Sequence, residues 1–95
     1  MPDQVLAMKI PHLTQALVLL VELIGRGELR LHNSREIKKW SVVLNTFEGV
    51  VTSEHRLAYD NSFRLIGEIH SHMLRQLGSE NPSIESLRQL TKAAR

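Results

Sequence analysis

The chain has 95 residues, a formal net charge of +2 and no cysteine. That length makes one domain rather than two, able to bury only about 60 to 65% of its unfolded surface, so packing or a partner chain has to complete the core. Without thiols there is neither a disulfide framework nor a thiolate metal site, and a pI of about 9.4 is too mild to require nucleic acid by itself.

Residues 1–10 carry Val5, Leu6, Met8 and Ile10, a spread that suits an N-terminal arm or a single helical turn equally. Pro11 is well placed to open a helix, where its missing N–H costs nothing, and the apolar pattern behind it lasts to Gly25. On a wheel of 100° per residue, Leu13, Ala16, Leu17, Leu19, Leu20, Val21, Leu23 and Ile24 fill an arc of roughly 200°. Only Gln15, Glu22 and Arg26 form a polar strip. One neighbouring helix cannot cover such an arc, so the sequence predicts a homodimer seamed by Leu13, Leu17, Leu19, Leu20, Leu23 and Ile24. The most apolar run, Ala16 to Ile24, is broken by Glu22 and is about half the roughly 20 residues of a membrane span. Asp3 stands where a secretory signal would be basic, so the expectation is a cytoplasmic chain with no membrane partner.

Gly25-Arg26-Gly27 ends that helix, and Leu29 and Leu31 alternate with polar residues in a connector that suits a short extended piece. From Asn33 to Tyr59 the residues Ile37, Trp40, Leu44, Phe47, Val51 and Ala58 recur at spacings of three and four. The pattern predicts one amphipathic helix, roughly 35 to 40 Å long, around which the others would be arranged. Asn33 is placed to cap it and Glu36 to complete a capping box, together contributing about 1 kcal/mol. Gly49 and Thr52-Ser53-Glu54 are its weak points, and a bend or a restart is expected at Thr52 or Ser53.

Asp60-Asn61-Ser62 reads as a turn and N-cap cluster, followed by a third helix from Ser62 to Leu77 that Gly78 would end. Asn81 and Pro82 suit the cap and first residue of a shorter fourth helix, to about Ala94. The predicted fold is therefore all-α: a small antiparallel bundle of three main helices plus a short C-terminal helix at 82–95, dimeric, forming a single domain over residues 1–95.

Two short strings suggest chemistry. Ile66-Gly67-Glu68-Ile69-His70-Ser71-His72 resembles the His-Ser-His signature of JAMM-type zinc isopeptidases, which would imply a zinc hydrolase. That family places the pair where a strand runs into a loop and adds a Ser and an Asp ligand downstream. The nearest stretch here, Pro82-Ser83-Ile84-Glu85-Ser86, lacks the Asp. If the segment is helical, residues two apart point about 160° from each other and cannot share a metal. His70 then falls among Ile66, Met73 and Leu77 as a core or interface histidine, and His72 becomes a surface neighbour of Glu68. His72-Met73-Leu74-Arg75 also resembles the His-x-Leu-Lys start of histidine phosphotransfer domains. The Gly that there follows the Lys is Gln76 in this chain.

A denser signal lies in the connector and the start of the long helix. Arg26, Arg30, Arg35, Lys38 and Lys39 gather against only Glu28 and Glu36, a pattern able to hold phosphate by charge and by helix N–H groups. Asn33-Ser34-Arg35-Glu36-Ile37-Lys38-Lys39-Trp40 resembles the recognition helix of some helix-turn-helix repressors, although the run before it is about twice the turn that motif uses. No Ser-His-Asp set, phosphate-cradling Gly loop or catalytic carboxylate pair is present, so the sequence predicts neither an enzyme nor a cofactor. The leading expectation is a non-catalytic regulatory or adaptor protein, acting on a protein partner through an oligomeric helical bundle. The alternative is a dimeric nucleic-acid-binding regulator using the basic cluster.

Overall fold

The structure is a computed structural model describing residues 2–95, with side chains from position 4 onward. Four helices follow one another: α1 (Pro2–Gly25), α2 (Ser34–Asn45), α3 (Ser53–Leu77) and α4 (Pro82–Ala93). No strand occurs among the described residues, so the connector before α2 is not extended pairing.

The centre of the fold is α1, not the stretch from Asn33 to Tyr59. It packs against all three other helices, most extensively α2 and α4, while α2 also packs on α3 and α3 meets α4 only lightly. Ile10, Leu13, Leu17 and Leu20 are completely buried, and Leu23 nearly so. Leu29, from the connector, closes the same core, where it joins Ile37, Leu44, Leu65, Ile69 and Met73. Most of the residues expected at a dimer seam are used within the chain. Four of its six residues, Leu13, Leu17, Leu20 and Leu23, face the chain's own helices, and only Leu19 and Ile24 remain half-buried at the edge. A 200° apolar arc needs more than one neighbour, and α2, α3 and α4 supply three.

The helix also starts earlier than predicted. It runs through Pro11, which sits on the exposed side of an interior turn instead of opening the helix. Residues of the expected arm from Val5 to Ile10 are helical, while Met1 lies outside the described residues. Over Gln4–Gly25 the helix is long and apolar enough to cross a membrane by composition alone, a property it shares with the core helices of globular proteins. In this fold its most apolar stripe is enclosed by protein.

The predicted long helix is two helices. Asn45 ends α2, the chain turns through Gly49 at φ +100°, and α3 begins at Ser53, one of the two restart points expected. Positive φ is the region where only glycine is free of Cβ strain, so Gly49 fixes the position of the break. The cap that starts α3 is a reciprocal pair. The backbone N–H of His55 donates to Thr52 Oγ1 at 3.2 Å, and that of Thr52 donates to His55 Nδ1 at 3.1 Å. His55 thereby takes the place usually held by Glu or Gln in a capping box. Its Nε2 lies 2.9 Å from Thr46 Oγ1, whose own hydroxyl donates to the Val43 carbonyl. That network assigns the proton to Nε2, and Phe47 packs edge-on against the ring at 5.6 Å.

Asp60-Asn61-Ser62, expected to form a turn, lies inside α3 instead. Ser62 is fully buried there, and its hydroxyl has no hydrogen-bond partner among the described residues. At the other end Gly78 closes α3 at φ +86°, and Asn81 accepts from the Ser83 N–H at 2.9 Å with Pro82 in the first turn of α4, both as the sequence predicts. The Tyr59 hydroxyl donates to the Ala94 carbonyl, tying α3 to the end of α4. Burial, and secondarily the charge of Asp60, push its phenol above the ordinary value.

Candidate polyanion interface on α2

α2 turns Ile37, Trp40, Ser41 and Leu44 inward, which on a 3.6-residue period sends Arg35, Lys38, Lys39 and Val42 outward. All four are exposed. Arg35, Lys38 and Lys39 stand at spacings of three and four, neighbours on one turn of surface with Cβ atoms about 5 to 6 Å apart. Like charges at that spacing repel one another in the free protein, so the face gains when an anion neutralises it.

Glu36 is the nearest acid in sequence, and it is directed elsewhere. Its carboxylate accepts from Arg64 of α3 at 3.4 Å and from the Trp40 indole N–H at 3.5 Å. It therefore bridges α2 and α3 and makes no capping box. Asn33 occupies the cap position of α2 without a side-chain capping bond, and its Oδ1 is buried unpaired. Lys39 places its ammonium 4.6 Å from the Trp40 ring centroid, a cation–π contact that holds the charge close to the helix.

The two remaining predicted cations differ. Arg30 is exposed on the connector, and its backbone is clasped on both sides by the Gln76 amide, with N–H to Oε1 at 2.7 Å and Nε2 to the carbonyl at 2.8 Å. The connector is thus fastened to the last turns of α3. Arg26, at the end of α1, lies 3.8 Å from Glu22 and 3.7 Å from Glu28. Two carboxylates already balance it, so Arg26 does not belong with the other four. Among the described residues no carboxylate pairs with Arg30, Arg35, Lys38 or Lys39.

The histidines fall outside this face. His70, expected as a core or interface histidine, is exposed on α3 rather than in the core and borders a groove beside α4. His72 is half-buried and pairs with Arg75, whose Nη2 donates to Nδ1 at 2.8 Å, while Glu68 is taken by Arg64 at 3.1 Å. With the segment helical, His70 and His72 diverge. Among the described residues no group of three or more His, Asp or Glu is placed to hold a metal ion. The histidine that is buried, His55, carried the sequence signal of a Thr three residues before it, but with an imidazole where the usual box has a carboxylate or amide. Searches of protein-family models, curated proteins and solved structures find no match to this chain.

Proposed function

We propose that the protein is a non-catalytic binding module that holds the phosphate backbone of nucleic acid on the outer face of α2. The reading is supported by one observation: Arg35, Lys38 and Lys39 share an exposed turn of helix while the adjacent Glu36 is engaged by Arg64. Arg30 extends the positive surface along a connector fastened to α3. The contact set is four cations with one exposed valine, Val42, and it suits positioning on a charged backbone better than reading base edges.

The adaptor reading drew its support from apolar surface on α1, and most of that surface is spent within the chain. What remains is smaller: Val5, Met8 and Val18 on α1 and Leu57 on α3 are exposed large apolar residues there. Scattered residues of this kind are normal on a monomer.

The test is charge reversal. Lys38→Glu with Lys39→Glu changes two exposed positions and gives up only the Lys39 cation–π contact to Trp40, a loss of about 0.5 to 1 kcal/mol at an exposed site, and circular dichroism should report an unchanged helical fold. Fluorescence anisotropy with a labelled duplex at low salt should show binding by the wild type and a loss of about tenfold or more in the double variant. Equal affinity in the two proteins would remove α2 from the account.

A further inference from the structure

α3 and α4 meet lightly and leave between them a groove of about 480 Å³. Its floor is apolar, formed by Phe63 and Ile66 of α3 and Leu87 of α4. Its α4 rim is cationic. Arg88 is already held by Glu85, through Nε to Oε2 at 3.1 Å and Nη2 to Oε1 at 2.9 Å. Lys92 and Arg95 have no carboxylate partner among the described residues. Among the described residues no acidic side chain lines the groove, and His70 stands on its α3 side.

Gly67 lies on the α3 wall of the groove. It sits in the interior of α3 with ordinary helical backbone, and a Cβ added there would meet nothing within 4 Å. Glycine at such a position costs about 0.5 to 1 kcal/mol relative to alanine, and neither the turn geometry nor close packing requires it here.

We infer that the groove between α3 and α4 binds a medium-chain fatty acid, with the chain on Phe63, Ile66 and Leu87 and the carboxylate on Lys92 and Arg95. The volume falls in the range of small-molecule sites. The lining stretch of α3, from Phe63 to His70, spans about 10 Å at 1.5 Å per residue. That length is too short to offer a peptide helix the roughly 800 Å² per partner of a specific protein interface. An apolar floor ending in two unpartnered cations complements a ligand with an apolar body and one anionic end. The site is separate from the α2 face and stands whether or not that face binds nucleic acid.

Isothermal titration of the full chain with octanoate, and with octanol as the uncharged counterpart, tests the inference. Octanoate should bind saturably one-to-one, and octanol about tenfold more weakly, since a charge-assisted contact to the head group is lost. Gly67→Phe, which fills the groove, should abolish octanoate binding while circular dichroism still reports a folded helical protein. Lys92→Glu with Arg95→Glu, at exposed positions, should reduce octanoate to the affinity of octanol and decides the matter alone if the phenylalanine variant does not fold. Lys38→Glu with Lys39→Glu should change neither. Absence of saturable binding, or binding indifferent to the groove variants, would overturn the inference. So would a wild-type dimer that Gly67→Phe converts to monomer, because a second copy would then be the occupant.

Discussion

Ser62 lies fully buried inside α3 with its hydroxyl unpaired among the described residues. Beside Asp60 and Asn61 it has the composition of a helix cap, and Ser, Asp and Asn do favour caps and turns. Here all three are carried inside α3 because Tyr59 and Phe63, ring centroids 4.9 Å apart, and the buried Ala58, Leu65 and Ile66 keep the helical register on both sides. Tertiary packing outweighs local preference, and it leaves the Ser62 hydroxyl buried without a partner. An unsatisfied buried hydroxyl costs about 1 to 3 kcal/mol. Ser62→Ala should therefore raise stability by about 1 kcal/mol, seen as a thermal midpoint about 4 to 8 °C higher. A lowered midpoint would mean that the hydroxyl is hydrogen-bonded after all. His70 is the converse case. Its neighbours Ile66 and Met73 are core residues, yet it stands exposed because α4 covers α3 only lightly, a property of packing that periodicity does not reveal.

Among the elements, the helical periods of α2, α3 and α4 were legible, as were the caps at Gly78 and Asn81, because each rests on local chemistry. The break between α2 and α3 was legible as a weak point but not as a turn. The apolar spacing from Ile37 to Ala58 continues in register through Phe47 and Val51, both half-buried, so the pattern alone reads as one helix. The break is decided by Gly49 at positive φ and by the Thr52–His55 cap, in which both ring nitrogens are used. Thr52 is exposed, so Thr52→Ala removes the cap without opening the core. It should cost about 1 kcal/mol in chemical denaturation, whereas His55→Ala, at a buried position, should cost more. No change on removing the threonine would show that packing alone sets the start of α3. The basic face of α2 was legible residue by residue. What the sequence left out was the diversion of Glu36 to Arg64, a contact across 28 positions of chain.

For the whole molecule, the organising fact is that a helix read as needing a second copy is enclosed by its own chain. An apolar arc of roughly 200° needs several neighbours, and α2, α3 and α4 all lie against α1. The four helices form an object of 39 × 23 × 18 Å, with Ile10, Leu13, Leu17 and Leu20 of α1 completely buried inside it. Sedimentation at micromolar concentration should accordingly give the mass of one chain, 10.8 kDa. Twice that mass would point to a seam other than the buried leucines. The cations of α2, by contrast, project from this body with no carboxylate paired to them among the described residues, and the functional reading depends on that asymmetry. Its most direct measurement is the dependence of duplex binding on salt. Three or four phosphate contacts should give a slope of log K against log salt near −3, and so a loss of about 40- to 150-fold between 50 and 200 mM salt. Arg35→Ala should flatten that slope by about one unit. A slope near zero, or no binding even at the lowest salt, would contradict the account.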